Sequence, residues 1–180
     1  GFGLLAALIA EGSASDWGAL LLRDDMGIGK GVNASAYASF ALAMITARFL
    51  GDRALDHFGP ARLVRICGYF GALGWGASIA IAVPLSESNP LIALIVINLG
   101  FVIAGLAIGP MFPAFILAAS AIPGIAPSVS SARAFVIGLS GFFIGPSIIG
   151  FLAEGTSISV AMAFPILALL VAGFLSRVIK

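Results

Sequence analysis

Four polar residues set in apolar sequence have types and spacing that could carry chemistry: Glu11, Asp16, Trp17 and Asn98. Glu11 lies about ten residues into the first apolar stretch, or about 15 Å along a helix. A carboxylate at that depth in a membrane is expensive and is by default a functional-site candidate. Its charged form is the one that loses hydration, so it can carry a proton at neutral pH or serve as a structural hydrogen-bonding group. Asp16 comes five residues later. At 100° per residue it points about 140° away, so the two carboxylates do not form a paired acid–base site. Asp16 reads as a solvated interface carboxylate and Trp17 as part of an interfacial aromatic belt, each with a solute pocket as its other reading. Asn98 could bind a polar solute or bridge two helices, and the bridge is preferred.

Other chemistries lack their parts. The chain has one cysteine, Cys67, and one histidine, His57. That excludes a disulfide framework, a cysteine-based metal site and a multi-histidine zinc site. Neither a metal nor a cofactor is expected. Gly138-Leu-Ser-Gly141 matches the Gly-x-Ser-Gly of intramembrane serine proteases, but no histidine follows Ser140 to act as its base. Gly27-Ile-Gly-Lys-Gly31 lacks the upstream glycine and the Ser/Thr of a phosphate loop. A water-channel turn needs a paired Asn-Pro-Ala, and here a single Asn89-Pro90 is followed by Leu91. The chain is not expected to be an enzyme.

The elements that must position these residues follow from composition. Of 180 residues, 61% are hydrophobic and 9% charged, with a mean hydropathy of +1.15. A soluble domain carries about 25% charged residues, so this is the composition of a polytopic membrane protein in contact with a lipid bilayer. A net charge of +1 argues against a nucleic-acid partner. A spanning helix needs about 20 mostly apolar residues. Six stretches fit: about Phe2 to Leu22, Ala34 to Leu50, Leu63 to Val83, Leu91 to Ala119, Val129 to Ala153 and Ser159 to Arg177. Asn33 and Ser128 are candidate N-caps. The fold class is all-α, because lipid satisfies no open backbone group. One single bundle over residues 1–180 is expected.

Arg53, Arg62, Arg65, Arg133, Arg177 and Lys180 fall at one set of helix ends. Arg23 and Lys30 fall at the other, beside Asp24, Asp25, Glu87 and Glu154. The positive-inside rule makes the first set cytoplasmic, so both ends of the chain are expected inside a plasma or inner membrane. The chain starts at Gly1 rather than Met and is apolar from Phe2, which reads as a piece of a longer protein without a signal peptide.

Glycine and proline interrupt two stretches. The fourth carries Gly105, Gly109, Pro110 and Pro113; the fifth carries Gly138, Gly141, Gly145, Pro146 and Gly150. Gly141 and Gly145 share a helix face and let another backbone come close. Pro110 and Pro146 each remove a donor and should bend their helices, which suits a protein that moves. Arg133 falls in the first turn of the fifth helix, where the dipole disfavours a cation. Asp56, a carboxylate elsewhere in the protein, or snorkelling into headgroups would offset it.

Four segments together resemble the major facilitator superfamily, specifically its C-terminal six-helix half. They are Glu11-Gly-Ser-Ala-Ser-Asp-Trp17 with Leu20-Leu-Leu-Arg-Asp24, then Gly51-Asp-Arg-Ala-Leu-Asp-His-Phe-Gly-Pro-Ala-Arg62, then Gly105-Leu-Ala-Ile-Gly-Pro-Met-Phe-Pro113, and Gly141-Phe-Phe-Ile-Gly-Pro-Ser-Ile-Ile-Gly150 with Leu152-Ala-Glu154. The second is similar to the family's cytoplasmic loop between paired helices. Asp56 and Gly59 keep their places; Gly51 falls one position early, His57 replaces a basic residue, and the basic pair is delayed to Arg62.

The resemblance implies half of a twelve-helix secondary transporter that moves a small solute by alternating access, with proton coupling one way to drive it. It implies gating roles for Asp52, Arg53, Asp56, Gly59 and Arg62, and a partner in a missing N-terminal six-helix half. Asp56 is expected to act near the free N–H groups that begin the third or fifth helix. Glu11 and the glycine-rich fifth helix are expected near the face where that half docks. The alternative is a non-transporting six-helix assembly or scaffold protein.

Overall fold

The computed structural model describes residues 1–179, and Lys180, assigned above to the cytoplasmic tail, lies outside them. Every regular element among the described residues is helical. In chain order they are α1 (Phe2–Leu20), α2 (Ser35–Leu85), α3 (Pro90–Ile108), α4 (Met111–Ser120), α5 (Pro127–Gly155), α6 (Ile158–Ala161) and α7 (Ala163–Leu175). A wider-wound turn, Leu21–Asp25, extends α1.

Five helical segments are long and apolar enough to cross a membrane: Phe2–Asp25, Val32–Leu85, Pro90–Ser120, Pro127–Gly155 and Ile158–Val178. The expectation of six differs from this count at one place. Val32–Leu85 has 54 residues, about 80 Å if it were one rod, against about 30 Å of hydrocarbon. It is not one rod. Gly59 has φ 72° and ψ 161°, outside helical geometry. A positive φ of this kind is cheap only for glycine. Pro60 follows, with its φ preset for a helix start and no N–H to leave unpaired. Two helices, 35–58 and 60–85, therefore meet at a single residue. The segment Gly51–Arg62, read above as a loop, is helical on both sides of that residue.

The fourth stretch also differs from its expectation as one long helix. It breaks at Gly109–Pro110 into α3 and α4. Pro110 has no N–H for the carbonyl one turn back, so the ladder stops there. By contrast α5 runs through Pro146 as one element. Two caps are corrected. Asn33 lies in a short 3-10 turn, where its side chain donates to the Ala19 carbonyl (3.2 Å) and accepts from the Gly31 N–H (3.1 Å). It ties the loop between α1 and α2 to α1 instead of capping α2. Ser128 lies inside α5, which starts one residue earlier at Pro127.

Small residues hold the bundle together, as lipid supplies no hydrophobic drive between helices. A methyl group at Gly141 would lie 2.6 Å from the Leu5 carbonyl oxygen and 3.0 Å from the Ile9 nitrogen. While Gly138 packs against the Leu4 side chain, the α1 and α5 backbones therefore touch at Gly141 and Gly145. Gly105 and Gly109 do the same for α3 against α2, facing the Phe40 and Met44 carbonyls. The three α5 glycines are buried against α1, within the chain's own bundle. Trp75, Phe40, Phe101, Ile97, Ile108 and Leu169 fill the interior. Gly1–Gly3 lie beside Ala118–Pro123 and Leu175–Ile179 at one end of the bundle. At the other end the Asp25 carboxylate accepts from the Ser159 N–H (2.6 Å).

Candidate functional site

α1 and the first half of α2 run antiparallel, with Gly18 against Ala36 near one end and Glu11 against Arg48 further along. Arg48 Nη2 donates to Glu11 Oε1 at 3.0 Å. Glu11 as a residue is 8% exposed. The Arg48 side chain is 46% exposed, so the pair opens on one side only. Glu11 Oε2 is buried and has no hydrogen-bond partner among the described residues. About ten residues separate Glu11 from Gly1 and Arg48 from Phe58, so both helices put the pair about 15 Å from their ends. Here two facts decide the arrangement. A carboxylate in an apolar bundle needs a counter-charge, and α2 supplies one from the next helix.

The helix break lies next to the pair. A methyl group at Gly109 would lie 2.8 Å from the Met44 carbonyl oxygen and 2.9 Å from the Ala47 side chain, and one at Gly51 would lie 3.9 Å from Pro110. The interruption between α3 and α4 thus packs on the turns of α2 that flank Arg48. Ser13 and Ser15 donate to the Ile9 and Glu11 carbonyls at 2.6 and 2.9 Å, so neither hydroxyl is directed at the carboxylate.

The remaining sequence candidates fall elsewhere. Asp16 is exposed. Trp17 is half-buried, with its ring edge 3.4 Å from where a methyl on Gly150 of α5 would be. Asn98 accepts from the Ser39 hydroxyl (2.8 Å) and donates to the Leu94 carbonyl (2.8 Å), bridging α2 and α3. Ser39 and Arg48 are nine residues apart on one helix, about 180° around it, so the amide and the ion pair lie on opposite faces. Asp52, Arg53, Asp56 and Arg62 are exposed around the break at Gly59. The Arg62 guanidinium stands 5.4 Å from the Phe58 ring centroid. Arg133 is exposed. Among the described residues neither it nor Asp56 forms an ion pair; the pairs present are Arg48–Glu11 and Arg23–Asp24. Pro113 lies in the first turn of α4. Among the described residues no group of three or more His, Cys, Asp or Glu could hold a metal ion.

Arg48 is the functional candidate that sequence reasoning missed. It lies inside the second apolar stretch and was covered by that stretch's average hydropathy. The available signal was electrostatic: a mid-helix carboxylate predicts a cation on a neighbouring helix at similar depth.

Long apolar helices, close-packed glycine seams and an ion pair at mid-helix depth define a multi-pass α-helical membrane protein. Comparison with known proteins narrows the class. The chain is 30% identical to an uncharacterized MFS-type transporter of Yersinia pestis over 179 residues, covering 99% of this chain and 44% of that protein. It is 30% identical over 165 residues to membrane protein MosC of Rhizobium meliloti, covering 91% of this chain and 38% of that protein. An uncharacterized transporter of Sinorhizobium fredii is 28% identical over 153 residues, or 85% of this chain and 38% of its own length. No protein-family model matches the chain, and no solved structure matches it significantly. The chain belongs to the major facilitator superfamily. It spans less than half the length of the curated relatives it matches.

Proposed function

We propose that this chain forms the C-terminal six-span half of a secondary transporter, with the Glu11–Arg48 pair lining the path of a small solute. Counting 35–58 and 60–85 as separate spans gives six. An N-terminal six-helix half would cover the side on which Arg48 is exposed. The positive-inside rule puts both ends in the cytoplasm of an inner or plasma membrane. The observation that carries the reading is the pair itself. An ion pair buried on one side and open on the other, about 15 Å from the helix ends, contributes little to stability that apolar packing would not. It fits a site that must exchange partners.

In this reading Glu11 carries the coupling proton. Protonation releases Arg48 from its only ion-pair partner among the described residues. The interruption at Gly109–Pro110, packed beside Arg48, gives α3 and α4 a place to flex. Asp52, Arg53, Asp56 and Arg62 would steer the inward- and outward-facing states from the cytoplasmic side, with Arg133 facing the same compartment. The test is Glu11→Gln in vesicles with an imposed pH gradient. It keeps the shape and a hydrogen-bonding head but carries no proton. Accumulation against a gradient should be abolished while counterflow of the same solute persists. A variant that still concentrates solute removes Glu11 from coupling.

A further inference from the structure

We infer that Arg48 is an anion-recognition residue, so that the solute carries a carboxylate or phosphate group. This rests on the transport reading above and names its substrate class. A guanidinium has five N–H donors in a planar fork. Glu11 takes one of them, through Nη2 to Oε1, and Glu11 Oε2 is not engaged by Arg48 or by any other described residue. The pair is therefore a single-bond tether, not the closed two-bond bridge that an arginine and a carboxylate make when both are fully used. No other hydrogen bond from Arg48 to a described residue is formed. Its side chain remains 46% exposed, at a depth of about 15 Å from the helix ends.

A cation held in that way is oriented but not saturated. Glu11 offsets the charge and engages one donor; the other donors of the fork have no hydrogen-bond partner among the described residues, on a side chain 46% exposed. Parallel N–H groups match the two oxygens of a carboxylate or phosphate, and a neutral or cationic solute would leave them unpaired at a cost. Glu11 is then a positioning residue, and Arg48 touches the solute. Lipid headgroups carry the same anionic chemistry. The depth of the pair favours a soluble anion, and the experiment separates the two sources.

The natural full-length protein would be purified in neutral detergent. Its thermal midpoint would be followed with succinate, lactate or inorganic phosphate, with glucose, mannitol or choline, and in a separate arm with phosphatidylglycerol. At least one soluble anion should stabilise the wild type. Its apparent Kd should rise about tenfold to a hundredfold in Arg48→Gln, since a charged hydrogen-bonding pair is lost. Arg48→Lys, which keeps the charge and loses the fork, should fall between. Should Arg48→Gln fail to fold because Glu11 is stranded, the double variant Glu11→Gln/Arg48→Gln has no stranded charge and serves in its place. Anions that protect the Gln variants as well as the wild type overturn the assignment. So does protection by phosphatidylglycerol alone. If a neutral or cationic probe protects and is taken up by vesicles, the anion inference fails and the transporter reading stands. If no probe protects or enters, both fail together.

Discussion

Removing Arg48 should strand Glu11, and a second substitution should rescue the damage. Arg48→Met takes away the only counter-charge that Glu11 has among the described residues. Breaking a fully buried pair by deleting one partner costs about 3–5 kcal/mol. The Arg48 side chain is 46% exposed, so water already screens part of the interaction, and about 2 kcal/mol is the better figure. Glu11→Gln keeps an oxygen for Arg48 and leaves the guanidinium partly in water, which costs about 1 kcal/mol. If the residues were independent, the double variant would lose about 3 kcal/mol. Coupled as the structure has them, it should lose only about 1 kcal/mol, because no charge remains unpaired. The assay is a double-mutant cycle of thermal midpoints in detergent, where that rescue amounts to several degrees. Additive losses would refute the reasoning and show that the two side chains do not meet in solution.

Two further outcomes follow from the packing. Gly141→Ala puts a methyl 2.6 Å from the Leu5 carbonyl oxygen, so α1 and α5 must separate at about 1–3 kcal/mol; Gly155→Ala, with nothing within 4 Å, should leave the midpoint unchanged in the same measurement. Asp25→Ala removes the acceptor for the Ser159 N–H, which should lower stability by about 0.5–2 kcal/mol, as losing a helix cap does, and speed hydrogen exchange at the Ser159 amide.

Fold class was readable because lipid restricts the choices: long apolar stretches must be helices, and their order follows from the punctuation. What averaging obscured was local. Gly51–Arg62 is rich in charge, glycine and proline and reads as a loop, yet one positive-φ glycine is enough to turn the chain, and the flanking residues stay helical. Asn33 has a capping side chain, but whether it caps α2 or reaches back to Ala19 depends on how the α1–α2 connection folds. The spacing of Gly141 and Gly145 showed that some backbone would come close. It did not show whether that backbone belonged to this chain or to another. For the site, the depth of Glu11 marked half of the pair. Arg48 was hidden because hydropathy windows sum over a stretch, while an ion pair depends on which residues of two helices share a depth and a face.

If the Glu11–Arg48 pair lines a path open in turn to each side of the membrane, position 48 must be reachable from both. The most direct measurement is thiol labelling at position 48 in the natural full-length protein. Cys67, the one cysteine of this chain, and any others would first be replaced. Arg48→Cys would then be exposed to a membrane-impermeant, positively charged thiosulfonate in right-side-out and in inside-out vesicles. The reagent also restores a cation beside Glu11. Labelling from both sides is the expected result. A thiol that reacts from one side only, or from neither, would contradict it.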